Sequence, residues 1–387
     1  MDHDWTHFKE KMLGLKGLAE IGFADIIGAV ISAFFWFYLA SLIEPNDYGE
    51  IHYFIGIATI VSYVSLLGTQ ETISVYTAKN IKIQSTLYLI SLIGAFISSL
   101  IVIIIFSRID TAFVIFGLTI NVLAIGDLLG RRLYSTYSKF ILIQKILMLI
   151  LGITFYYLIG VEGILYALAL SYAFFSLRIF KVIKESNIDF HLLKSKIGFT
   201  TNNYIVNLVS AFTAQVDKLI IAPLLGFALL GNYSLALQFI TILLVFSNVI
   251  FKYLIAHDAA GIKNQKLKKM TVFMSIGIAV ASIIGVPALI PIIFSKYVNA
   301  IEAIQIMSVA IVPYTISMIF TSKFLGLEKS KFVLAGNIIQ LVTTVIGIII
   351  LGTMFDIVGI ATAFVLAAIF QTVFLASMDR FILNSTN

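Results

Sequence analysis

Three side chains in one apolar stretch have the types and spacing to do chemistry: Gln215, Asp217 and Lys218, inside NYIVNLVSAFTAQVDKLIIAPLLG. A helix of ~20 residues rises about 1.5 Å per residue and spans the ~30 Å of a bilayer's hydrocarbon. Counted from Asn203, the Asp217–Lys218 pair lies roughly 21–23 Å along such a helix, past its middle. A charge at that depth is costly and normally faces a bundle interior or a wet cavity with a partner. Lys218 offers an ammonium that can offset the charge of an anionic headgroup and release it again, as a point donor without a bidentate clamp. The structural alternative is an ion pair with an acid on a neighbouring helix, such as Asp25. Asp217 suits a coupling site for H⁺ or Na⁺, or it simply neutralises a cation. Adjacent helical residues point about 100° apart, so Asp217 and Lys218 are expected to have different neighbours rather than each other.

Other polar groups fall in or beside apolar runs. Asp25 and Glu20 sit in the first run, Glu20 near its charged end and Asp25 roughly 10 Å in, and both are ion-coupling candidates. Lys145 lies about two turns into another run, as a second phosphate contact or as a side chain snorkelling to headgroups. Asp127 and Arg131 are spaced i to i+4, which favours a local pair; Arg131 can also attract an anionic headgroup. Asn207 and Gln215, with Gln238 and Gln340 among the other amides, can bond sugar hydroxyls or neighbouring helices. The five histidines are scattered, His52 among them, and no paired spacing points to a metal. No catalytic set, metal site or cofactor motif emerges.

These groups need elements to hold them. The 387 residues are 60% hydrophobic and only 12% charged, with mean hydropathy +1.03. Soluble domains average about 25% charged. The composition excludes a soluble protein and predicts an all-α, polytopic membrane protein. The apolar runs are too long, and alternate too little, for barrel strands. Twelve spans are expected: 17–43, 49–69, 84–106, 111–129, 139–159, 163–180, 203–225, 231–251, 270–293, 299–322, 331–352 and 357–378. Of 26 Lys and Arg, only Arg108 and Lys296 fall in one set of alternate connections. Lys145 and Lys218 lie within spans. The rest, including Lys9, Lys11, Lys16, Lys252 and Lys263, fall on the other side, which is a strong positive-inside pattern. It places both termini in the cytoplasm and explains the net charge of +6 without nucleic acid.

The two halves carry an internal likeness. At an offset of 182, Ala40, Leu42 and Gly49 fall on Ala222, Leu224 and Gly231. Ser138-Lys139-Phe140 matches Ser330-Lys331-Phe332 at 192, and Gly163, Ile164 and Ala167 match Gly359, Ile360 and Ala363 at 196. The reading is a six-helix lobe over 1–190 and another over 191–387, with parallel topology about an axis along the membrane normal. Asp217 and Lys218 fall on Phe35 and Trp36, so the charged pair belongs to the second half alone.

The segment VDKLIIAPLLGFALLGNYSLALQ, from Val216, resembles a hallmark of the polysaccharide flippases of the multidrug/oligosaccharidyl-lipid/polysaccharide exporter superfamily. FWFYLASLIEPNDYGEIHYF, from Phe35, is similar to the same family's first-helix and loop pattern, in which an Ala-x-Leu run leads to a Pro-x-x-Tyr-Gly turn. The resemblance implies a V-shaped, two-lobed bundle with a central cavity. It implies a non-enzymatic transporter of the cell membrane that flips an oligosaccharide linked to undecaprenyl pyrophosphate from the cytoplasmic to the outer leaflet, for O-antigen-like polysaccharide. Its implied partners are that polyprenyl-pyrophosphate-linked oligosaccharide, membrane lipids, H⁺ or Na⁺, and polysaccharide polymerase and chain-length proteins. A cation-coupled multidrug exporter of the same superfamily is the alternative, although a midspan lysine favours an anionic substrate. A membrane polymerase or glycosyltransferase would need a long outer loop, and the outer connections are a few residues each. The chain contains no cysteine. A single Cys at position 264 should therefore react with an impermeant thiol reagent from the cytoplasmic side only; reaction from outside overturns the topology.

Overall fold

Hydrocarbon satisfies no backbone N–H or C=O, so a spanning segment must bond internally. The computed structural model, which describes residues 2–67, 69–185, 187–259 and 264–385, is accordingly helical, with no strand among those residues. Its helices are α1 (Asp2–Leu42), α2 (Pro45–Ser65), α3 (Gln70–Ala78), α4 (Gln84–Phe106), α5 (Ile109–Gly130), α6 (Tyr134–Ile159), α7 (Gly163–Tyr172) and α8 (Ser176–Glu185). They continue with α9 (Phe190–Leu225), α10 (Phe227–Leu243), α11 (Val245–Ala259), α12 (Gln265–Ile293), α13 (Ala300–Ser308), α14 (Ile311–Gly326), α15 (Ser330–Gly347) and α16 (Thr353–Ser385). Lys263 lies outside the described residues, as do the side chains of Lys9, Lys11, Lys16 and Lys252.

Eight of these stretches are long and apolar enough to cross a membrane, and three pairs bent by 41°, 42° and 46° at short breaks raise the number to eleven. One of the eight is the 52-residue run Ser330–Phe381. As one straight helix it would measure about 78 Å, more than twice the hydrocarbon thickness. It is instead broken at Phe355 and Asp356, whose backbones are not helical. Its arms fold back on each other: Gln371 Nε2 donates to Asn337 Oδ1 at 2.9 Å, and Gly347 faces Ala363. Counted as two arms, it brings the crossings to the expected twelve.

The chain divides into two compact units, Met1–Phe35 with Phe54–Ala211, and Trp36–Tyr53 with Phe212–Asn387. The boundaries of these units fall within α1 and α9. In unit 1 a core gathers Leu87, Tyr88, Leu128 and Phe175 between α4, α5 and the α7–α8 junction. In unit 2, Tyr233, Tyr297 and Phe324 are among the large side chains almost wholly enclosed.

The internal likeness of the sequence recurs in the backbone. A Cβ on Gly49 would lie 1.9 Å from the Phe227 carbonyl oxygen, and one on Gly231 would lie 1.8 Å from that of Pro45. Gly49 and Gly231 are partners at the offset of 182, and so are Pro45 and Phe227. The starts of α2 and α10 therefore touch through a locally two-fold, self-complementary contact. Later in the chain the offset is 196. Gly163 sits against the Phe155 carbonyl as Gly359 sits against that of Leu351. Positive φ recurs at Arg132 (57°) and Glu328 (58°), and at Gly160 (87°) and Asp356 (48°). The flanking bonds match too, Leu133 N to Leu128 O and Lys329 N to Phe324 O. These turns correct the offset of 192: Ser138-Lys139-Phe140 is displaced four residues from its apparent match, and the similarity of the two tripeptides is chance.

Neither carbonyl in the α2–α10 contact can retreat without moving a helix start, so a methyl group there is overpacking, which typically costs about 1–3 kcal/mol. Gly231→Ala should lower the thermal unfolding midpoint in detergent. Gly22→Ala, whose added carbon meets nothing within 4 Å, should leave it within a degree or raise it; equal behaviour of the two variants removes the contact as a constraint.

Candidate functional site

Within unit 2, α9 brings Asp217 and Lys218 to the side of α10. The two are nearly buried, at 7% and 9% exposure. Asp217 Oδ1 accepts the Lys218 backbone N–H at 2.8 Å and lies 3.3 Å from Lys218 Nζ. Asp217 Oδ2 accepts the Tyr233 hydroxyl at 2.9 Å. The expectation that the pair would look apart is thus corrected. The two Cβ vectors diverge, but the four-carbon lysine stem is long enough to fold back, and Nζ also donates to the Ala214 carbonyl at 3.3 Å. Both of its contacts are long. An ammonium has three donors, so this one keeps capacity for a further acceptor, whereas the carboxylate is well satisfied.

Lys218 and Asp217 line a cavity of ≈ 310 Å³. Polar groups from four further elements converge on it: His52 of α2, Ser234 and Gln238 of α10, Tyr314 of α14 and Gln340 of α15. Gln340 Nε2 donates to the Tyr314 hydroxyl at 2.8 Å. His52 packs between Trp36 and Tyr48, with ring centroids 4.7 and 4.5 Å away. Its Nε2 and the Ser234 hydroxyl are enclosed and have no hydrogen-bond partner among the described residues. A ligand entering here meets one ammonium, two amides, hydroxyls and an imidazole, with Leu237 and Phe364 on the apolar side.

The other sequence candidates lie elsewhere. Gln215 is in unit 2 but not on the cavity wall, and its Oε1 is enclosed without a partner among the described residues. The remaining five belong to unit 1. Tyr137 donates to Asp25 Oδ1 at 2.7 Å, and Ser138 donates to the Glu20 carbonyl at 2.9 Å. Lys145 lies across Gly28 of α1, one turn from Asp25, its Cγ 3.3 Å from where a Cβ would stand. Asn207 donates to Glu71 Oε2 at 2.9 Å. Arg131 and Asp127 form the expected local pair at 2.8 Å. That pair is part of a larger network: Asp127 is fully buried and also takes Arg178 Nε at 2.6 Å, while Arg131 reaches Glu185 at 2.6 Å. Burial opposes the charge on Arg131, but Asp127 and Glu185 outweigh it and raise its pKa.

Sequence reasoning found the charged pair and the two glutamines but missed His52, Ser234, Tyr233 and Tyr314. The chain has 17 tyrosines and nothing local distinguishes these two. His52 had one usable signal, a position one turn after Tyr48 near the start of a span that is apolar beyond it.

No protein-family model matches the sequence, and no curated protein matches it. Solved structures do match. A multidrug resistance MATE family transporter of the MOP superfamily, in its inward-facing conformation, superposes with a TM-score of 0.70 at 15% identity, covering 92% of this chain and 94% of that one. The lipid II flippase MurJ, in an inward closed conformation, gives a TM-score of 0.76 at 12% identity, over 93% and 87%. A MOP superfamily transporter from Pyrococcus furiosus Vc1 (DSM3638), described as having a binding pocket of reverse polarity, gives 0.61 at 13%, over 96% of each chain. At such identities the likeness is one of fold: this chain is a polytopic all-helical membrane protein with the architecture of MATE and MurJ transporters.

Proposed function

We propose that the protein is a transporter that flips a lipid-linked oligosaccharide, carried on a polyprenyl pyrophosphate such as undecaprenyl pyrophosphate, toward the outer leaflet for surface polysaccharide synthesis. The observation that carries this reading is the Lys218 ammonium: nearly buried, held at 3.3 Å by a carboxylate that is otherwise satisfied, and facing a cavity of hydroxyls and amides. Such a site offers a cation for a phosphate and neutral donors and acceptors for sugar hydroxyls. The fold shared with MurJ and MATE transporters supports movement across the membrane as the activity. The proposal includes a cell-membrane location with both termini cytoplasmic, from the lysine distribution, and two six-helix repeats over 1–190 and 191–387.

Asp217 is assigned a holding role. Its oxygens are taken by Lys218 and Tyr233, which leaves little room for a coupling ion. Asp25, which accepts the Tyr137 hydroxyl at 2.7 Å, stays a candidate to couple H⁺ or Na⁺, with Glu20. The alternative, a cation-coupled exporter, is favoured by the MATE likeness, but a lysine at the cavity suits an anion better than a cationic drug.

A charge-assisted hydrogen bond is worth about 1.5–3 kcal/mol, or roughly ten- to a hundredfold. In proteoliposomes, Lys218→Ala should slow translocation of a fluorescent polyprenyl-pyrophosphate oligosaccharide at least tenfold, with Lys218→Arg intermediate, each compared at a temperature where thermal unfolding shows the variant still folded. Wild-type transport by Lys218→Ala sinks the reading; efflux of cationic dyes in its place selects the exporter. Asp217→Asn strands the buried ammonium, a loss of about 3–5 kcal/mol for a buried pair. It should therefore destabilise the protein more than Lys218→Met does, a comparison made by thermal unfolding. The opposite order argues that Asp217 does more than hold the lysine.

A further inference from the structure

We propose that the lysine-rich end of unit 2 holds a binding site for the phosphate headgroup of an anionic phospholipid, set between α12, α14 and α16. The cavity there has a volume of ≈ 390 Å³ and is separate from the one at Lys218. Lys268, Lys269 and Lys323 contribute three ammonium groups, against the single carboxylate of Asp379 on its wall. Lys268 is held by Asp258 at 2.7 and 2.9 Å, and Ser322 ties the same carboxylate to α14 at 2.7 Å. Lys323 reaches Asp379 at 2.5 Å. Lys269 has no hydrogen bond or ion pair among the described residues. Even with both acids counted, one positive charge remains, and the two fixed pairs hold the walls around it.

The order of residues along the helices names the class of ligand. On α12 the lysines come first and Val272 follows about one turn further in. On α14, read back from its end, Lys323 is followed by Phe320, Ile319 and Ile316. Each wall therefore passes from cation to hydrocarbon over about 10 Å or less, in the same direction. A soluble phosphate would use the charged end and leave the apolar end empty. A phospholipid fills both, with its headgroup at the lysines and the start of an acyl chain against Ile316 and Phe320. Basic pockets between spanning helices at the cytoplasmic face are the arrangement that binds anionic headgroups.

The test uses the full chain, purified in detergent and supplied with equimolar phosphatidylglycerol and phosphatidylcholine, with retained lipid counted by native mass spectrometry. Wild type should keep phosphatidylglycerol preferentially. Lys269→Gln should reduce that retention about fivefold, and Lys269→Glu should reduce it further. Lys184→Glu, an exposed lysine of unit 1, should change nothing. Glycerol phosphate at millimolar concentration should not displace the lipid. Equal retention of the two lipids, an unchanged Lys269→Glu variant, or displacement by glycerol phosphate each overturns the proposal, the last by reassigning the site to a soluble phosphate. None of these outcomes bears on Lys218, because the readout is lipid retention and not transport.

Discussion

Buried charge without water is the condition that shapes this molecule. In hydrocarbon, backbone polar groups close into helices, and the few ionic side chains left at depth must find partners. Asp217 shows how narrowly this is met. One carboxylate serves a backbone amide, an ammonium and a phenol, drawn from two helices. The arrangement fixes α9 against α10 and presents Lys218 to the cavity. Charge thus positions the walls of the site and also lines it.

The same economy recurs with different members. Asp127 gathers Arg131 and Arg178 and, through Arg131, reaches Glu185, so that α5 and α8 are joined at the basic ends of unit 1. Asp258 gathers Lys268 and Ser322 in unit 2. In each case an acid ties a cation on one helix to a group on another. The charges at these helix ends thus bind the helices of each unit together.

Much of this was legible in the sequence. Hydropathy gave twelve segments because apolar length is a direct consequence of bilayer thickness. The hairpin of α15 and α16 was separable despite its continuous apolar run, because 52 residues cannot cross once. The i to i+4 pairing of Asp127 and Arg131 followed from helical spacing alone. Partners distant in sequence did not. Arg178 is 51 residues from Asp127, and Tyr137 is 112 from Asp25. No local pattern announces such contacts. Lys218 misled in another way: Cβ directions ruled out its neighbour, while the flexible stem of the side chain brought them together. The repeat at 192 failed because three residues in apolar sequence carry too little information, whereas positive φ at Arg132 and Glu328 marks the true correspondence.

The paired glycines at the starts of α2 and α10 have a consequence for how the chain can change over generations. Each abuts a carbonyl that belongs to the other copy's counterpart, so neither position can accept a side chain alone, and sequence drift at one is policed by the other. Further along, the offset grows from 182 to 196, so the second stretch is fourteen residues longer than the first before the matching turns. The two related stretches thus meet tightly at the α2–α10 contact, and beyond it they differ in length.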